Sequence, residues 1–173
     1  VIFPEVQKLY AERRIELEKI VAKRKAEQFA WEKENPEKAI LLHQYFSGKV
    51  PDIDYKSIVH KPDVATRVAS SDVLGVFGEQ IGNMIVSSAD LANSDKTDGF
   101  LKKTHAFING DFTGAFLQAG VSELTMAAIM NGMALHGGII PACGTFFVFS
   151  DYMKPAVRLA ALMEVPVKYR SEE

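Results

Sequence analysis

Residues 120–152, GVSELTMAAIMNGMALHGGIIPACGTFFVFSDY, constrain the fold more than any other stretch of the chain. Ser122 stands where a helix N-cap is expected, and Glu123 follows in the first turn, where a carboxylate suits the helix dipole. From Leu124 to Leu135 the pattern is apolar almost all round (Met126, Ala127, Ala128, Ile129, Met130, Met133, Ala134). That predicts a buried helix. Gly137 and Gly138 end it. Residues 139–143 then read as a short inner strand, and Gly144 lets the backbone turn or come close to a ligand. Phe146, Phe149 and Tyr152 recur at i, i+3 and i+6, a spacing that puts three rings on one helix face.

The rest of the chain predicts a parallel sheet around that stretch. Residues 4–33 form a long helical pattern with Pro4 at its first position, charged on most sides. Its basic residues (Arg13, Arg14, Lys23, Arg24, Lys25) are interleaved with Glu16, Glu18 and Glu27, which reads as a solvated face. Asn35 and Pro36 cap and open a second helix ending near Ser47-Gly48, and residues 49–62 read as a linker. Asp63 is expected to cap a helix over 63–80, with strands at 84–86, 116–121, 139–143 and 165–169. A helix over 154–163 should be kinked or opened by Pro155. The polar stretch 87–104 is too long for a tight connection, and such loops often carry function. Helix and strand alternating at this spacing give an α/β fold, a doubly wound parallel sheet preceded by a helical segment, with ligands beyond the carboxyl ends of the strands.

Composition narrows the function classes. A net charge of −2 gives no electrostatic case for nucleic acid, and no apolar run approaches a membrane span. Cys143 is the only cysteine, so no internal disulfide or cysteine zinc cluster is expected. It suits a reducing, cytoplasmic setting, and within an apolar strand it reads as packing. His43, His60, His105 and His136 show no ligand spacing, so no metal site is expected in this chain.

Three blocks carry a family resemblance: SADLANSDKT, GVSELTMAAIMNGMALHGG and CGTFFVFSDYMKPAVRLAALMEVPV. In order and spacing they resemble the pyrimidine-binding domain of transketolase over residues 65–167. The resemblance implies residues 1–62 as a helical inter-domain linker and 63–173 as an incomplete pyrimidine-binding domain, part of a longer polypeptide. It implies thiamine diphosphate with Mg²⁺, whose metal ligands belong to another domain. It also implies sugar phosphates as substrates, a homodimer with the site between subunits, and two-carbon ketol transfer in the pentose phosphate pathway. A phosphoketolase or deoxyxylulose-phosphate synthase is a related alternative. A non-catalytic module completing the site of a separate chain is another.

Residue by residue, Glu123 matches the acid that bonds a ring nitrogen of the aminopyrimidine and so promotes loss of the thiazolium C2 proton. Taken alone, it is a dipole-stabilising residue. Ser122 and Leu124 stand where most family members have Arg and His. Phe146, Phe149 and Tyr152 match the aromatics that line the pyrimidine pocket, with Phe149 the expected stacking ring; by composition alone they are core aromatics. Asp90 matches an acid near the cofactor. Arg67 and Ser94 match positions on the substrate-phosphate side, where a guanidinium fork and a hydroxyl suit a phosphate.

Overall fold

The computed structural model describes residues 2–172, and its four strands form a parallel sheet in the order β2-β1-β3-β4. The strands are β1 at Met84–Ser88, β2 at Phe116–Gln118, β3 at Ile140–Phe146 and β4 at Lys168–Glu172. Register runs Val86 to Phe116 on one side of β1 and Val86 to Ala142 on the other, then Gly144 to Arg170 between β3 and β4. Parallel pairing requires crossovers. Helices α6 (Glu123–His136) and α7 (Ser150–Leu162) supply two of them. The connection from β1 to β2 holds two single-turn helices, α4 (Ala92–Asp95) and α5 (Asp98–Leu101). Helix α3 (Thr66–Gln80) leads into β1.

Side chains alternate across a strand, so the sheet builds a core on each face. Ala142 belongs to a cluster with Leu74 of α3, Phe100 of α5, Val86 and Phe116. Its neighbour Cys143 belongs to the other, with Met126, Ala127 and Met130 of α6 and Met153 and Ala156 of α7. The α/β parallel sheet with helices on both faces is therefore as the sequence predicts. Burial at Cys143 pushes its thiol from 9.0 up to about 12, because the thiolate has no solvent to stabilise it. Folded pKa above unfolded means stability that is complete below pH 9 and lost as pH rises towards 12. Iodoacetamide at pH 8 should leave the native thiol unmodified and alkylate it fully in denaturant, and Cys143→Ala should flatten the loss of stability above pH 9. Rapid alkylation of the native protein would contradict this packing.

The described chain divides into two compact units, one up to His43 and one from Gln44. In the first, α1 (Pro4–Glu34) has no buried residue and carries exposed i, i+3 and i, i+4 ion pairs such as Arg13–Glu16 and Arg14–Glu18. Each such pair contributes only about 0.3–0.5 kcal/mol, so helix propensity does most of the holding.

Several local expectations are corrected. Asn35 ends α1 and opens α2 (Pro36–Phe46) as expected, its carbonyl accepting from the Ala39 amide, but its side chain does not cap α2: Nδ2 turns back and donates to the Trp31 carbonyl at 3.0 Å. Within residues 49–62, Ile53 is buried in the first core and Asp54 caps a 3₁₀ turn at Tyr55–Ser57. Asp63 lies at φ 55° and caps nothing; α3 starts at Thr66. Ser122 does not cap α6, since its Oγ donates to the Ala119 carbonyl at 2.7 Å. Helix α6 is buried on one face only: Leu124, Ile129 and Leu135 are exposed. Pro155 lies inside α7, not at its start, and β4 runs Lys168–Glu172, starting three residues later than the expected 165–169.

Candidate functional site

All four strands are parallel, so their carboxyl ends share one edge of the sheet, and most sequence-predicted residues gather there. Beyond β1, Asp90 takes a left-handed backbone (φ 65°) that turns the chain out of the sheet. Asp tolerates that conformation better than most residues. Asp90 and Ser94 are exposed and line one cavity of about 480 Å³ with Ser88, Gln118 and Gly120. Beyond β2, Gly120 (φ 65°) turns the chain into α6. Glu123 is the first residue of α6 and only 8% exposed. No hydrogen bond or ion pair from another described residue reaches its carboxylate. Its oxygens are not among the fully buried unpartnered atoms, so the carboxylate keeps some contact with solvent and can be reached from outside the chain.

Beyond β3 the aromatic cluster follows, but not as a single helix face. Phe146 ends the strand, Phe149 ends a 3₁₀ turn and Tyr152 lies in α7. The rings of Phe149 and Tyr152 stack with centroids 6.3 Å apart and planes 27° apart. Phe146 and Phe149 are half-buried, whereas Tyr152 is exposed. These rings present an aromatic edge rather than a sealed core. Arg67 lies in the first turn of α3 and is half-buried.

Sequence reasoning missed a polar network behind this edge. Asp95 is fully buried; its Oδ2 accepts from Ser88 Oγ at 2.8 Å and its Oδ1 from the Thr97 amide and hydroxyl at 2.9 and 2.8 Å. Ser88 Oγ in turn accepts from the Leu91 amide at 3.1 Å, which fixes the turn carrying Asp90. The Asp-x-Thr spacing inside the polar stretch was the available signal, since an Asp side chain often accepts from the backbone two residues on. A second tie joins α6, α7 and β4. The Tyr169 hydroxyl donates to Asn131 Oδ1, and Asn131 Nδ2 donates to the Ala156 carbonyl at 2.9 Å.

Carboxylate, aromatic edge and polar loop at the carboxyl ends of a parallel sheet define a ligand-binding domain of the doubly wound α/β class. Residues 62–171 match the family described as transketolase, pyrimidine binding domain, and the chain belongs to that family. It is 41% identical over 170 residues to the transketolase of Geobacillus stearothermophilus, covering 94% of this chain and 25% of that one. Over 106 residues it is 49% identical to the transketolase of Halalkalibacterium halodurans, covering 61% of this chain and 16% of that one. Among solved structures, the transketolase of Leishmania mexicana superposes with a TM-score of 0.84 at 29% identity, covering 98% of this chain and 25% of that one. The Pichia stipitis transketolase in complex with sedoheptulose-7-phosphate gives 0.83 at 34% identity, covering 98% and 26%. The chain thus spans about a quarter, or less, of the length of these relatives.

Proposed function

We propose that this chain supplies the pyrimidine-side half of a thiamine-diphosphate-dependent transketolase site, acting in two-carbon ketol transfer between sugar phosphates. The observation that carries the reading is Glu123, a buried carboxylate with no partner in the described chain, at the N-terminus of α6 on the carboxyl edge of the sheet. A carboxyl so placed can hydrogen-bond a ring nitrogen of a bound aminopyrimidine. The cofactor, when bound, supplies the carbon nucleophile and electron sink for carbon–carbon bond exchange.

The chain's own residues then have separate duties. Glu123 bonds the aminopyrimidine; Phe149, with Phe146 and Tyr152, stacks on and flanks the ring; Asp90 sits near the cofactor from the turn after β1. Arg67 and Ser94 hold the phosphate of the sugar. Mg²⁺ and the diphosphate are assigned to residues of a different domain. Residues 1–62 serve as the inter-domain connection and 63–173 as the pyrimidine-binding domain. The protein acts as a homodimer, a reading supported by the exposed apolar side chains Leu124, Ile129 and Leu135 on α6. A cytoplasmic enzyme of the pentose phosphate pathway fits these assignments, and no helix of the described residues is long and apolar enough to cross a membrane.

The test is cofactor affinity in the full-length protein. Phe149→Ala should weaken apparent thiamine diphosphate binding by roughly 2- to 13-fold, the equivalent of one aromatic pair at about 0.5–1.5 kcal/mol. Affinity for the sugar phosphate should change less. Unchanged cofactor affinity with a lowered melting temperature would return Phe149 to the core.

A further inference from the structure

Arg67 and Ser94 come from different segments, α3 and α4, and neither helix contains the other's neighbours. Something has to fix their separation if both are to meet one phosphate. Arg170 on β4 reaches both segments: Nη1 donates to the Asp95 carbonyl at 2.6 Å and Nη2 to the Arg67 carbonyl at 3.4 Å. Asp95 follows Ser94 directly, and its side chain is locked by Ser88 and Thr97, so the carbonyl that Arg170 grips cannot drift independently of the loop. Gly144 lies opposite Arg170 in the sheet. A Cβ at Gly144 would stand 2.7 Å from Thr97 Cγ2, 3.3 Å from Asp95 Oδ2 and 3.6 Å from Arg170 Nη1. The sheet is left bare at the place where loop and guanidinium converge.

On the reading of Arg67 and Ser94 as the phosphate ligands, we propose that Arg170 is the positioning residue of the substrate-phosphate site. Its planar fork spans two backbone acceptors and so sets the spacing of the two residues that meet the phosphate. Lysine keeps the charge but offers a single point of attachment, and cannot hold both carbonyls in one plane. Arg170 grips these two segments by their backbone carbonyls, so its effect travels through Arg67 and Ser94 and leaves the chemistry at Glu123 alone.

The experiment uses the full-length protein with Arg170→Lys, Arg170→Leu and Arg67→Ala, and compares a phosphorylated aldose with an unphosphorylated short aldehyde as acceptor. Arg170→Lys should raise KM for the phosphorylated acceptor about tenfold, the equivalent of one charge-assisted hydrogen bond, with kcat nearly unchanged. KM for the unphosphorylated acceptor should not move. In the Arg67→Ala background the same substitution should have little further effect, because with one of the two phosphate ligands gone there is no spacing left to set. Equal losses for both acceptors, or a full tenfold effect in the Arg67→Ala background, would overturn the proposal. If Arg67→Ala alone spares the phosphorylated acceptor, the phosphate assignment fails and the Arg170 role falls with it. Arg170→Lys retains the cation and keeps the test decisive if Arg170→Leu does not fold.

Discussion

Glu123→Gln is expected to lower ketol-transfer turnover at saturating cofactor by roughly 10²–10⁴-fold, the usual scale of lost acid–base help. Gln fills the same volume and still hydrogen-bonds, but it has no acidic proton to share with a pyrimidine nitrogen. The fold should hardly notice. As a first-turn helix charge, Glu123 contributes about 0.3–1 kcal/mol, and its carboxylate has no partner among the described residues to leave stranded. Deuterium exchange at the cofactor C2, measured with the mutant reconstituted in the full-length protein, separates the two duties. Near-normal exchange would make Glu123 a helix-end residue and remove the central support for the proposed function. Its immediate neighbours add nothing on this side of the helix: Ser122 is spent on the Ala119 carbonyl and Leu124 is 48% exposed.

Gly99→Ala should destabilise the fold by about 3 kcal/mol, at the upper end of overpacking costs. A Cβ on Gly99 would stand 2.3 Å from the carbonyl oxygen of Ser71 and 2.3 Å from its Oγ. The hydroxyl can rotate away, but the carbonyl belongs to the backbone of α3 and cannot. The helices α3 and α5 would have to separate, loosening the cluster around Phe100 and Leu74. Gly132→Ala is the control. It lies within α6, where an added methyl group would meet nothing of this chain inside 4 Å, so helix propensity should add about 1 kcal/mol to the chain's own fold, apart from any subunit contact on the Ile129 and Leu135 side. Denaturant midpoints read both. A neutral Gly99→Ala would mean that α3 and α5 do not meet backbone to backbone.

The sheet was legible because its strands carry the signals that burial demands. Met84, Ile85 and Val86 form an apolar run ahead of a polar loop, and Gly137-Gly138 stop α6 just before the next strand pattern. The fourth strand was misplaced for a physical reason. Val167, on the approach from α7, is apolar because it packs against the Met126 cluster, and Val165 is half-buried, while ladder pairing starts at Lys168. Hydrophobicity reports burial, not pairing. The same limit applies to α6, where an apolar pattern on every side does not say which side the domain's own core uses.

Site residues divide along a similar line. Glu123, Asp90, Ser94 and the aromatics were proposed from motif order, and the structure brings their segments to one edge of the sheet. The supporting network was not found. Ser88, Asp95 and Thr97 sit in a stretch whose polarity suggests solvent, yet all three are buried. Polar residues that satisfy one another inside a fold look, in one dimension, like any exposed loop. Arg170 was harder still, since both of these carbonyl partners are remote in sequence.

That remoteness has a kinetic side. Arg170 lies 75 residues after Asp95 and 103 after Arg67. At roughly 5–20 residues per second, a ribosome needs about 4–15 s to add the former interval. During those seconds α3, β1 and the loop carrying Ser94 can form, held at that end by Ser88, Asp95 and Thr97, but the clamp across the two segments does not yet exist. It closes only when β4 pairs with β3, a non-local parallel docking of the slow kind. The corner where α3, α4 and β4 meet is therefore among the last parts of this chain to set during synthesis, and among the first to loosen if the fourth strand peels away.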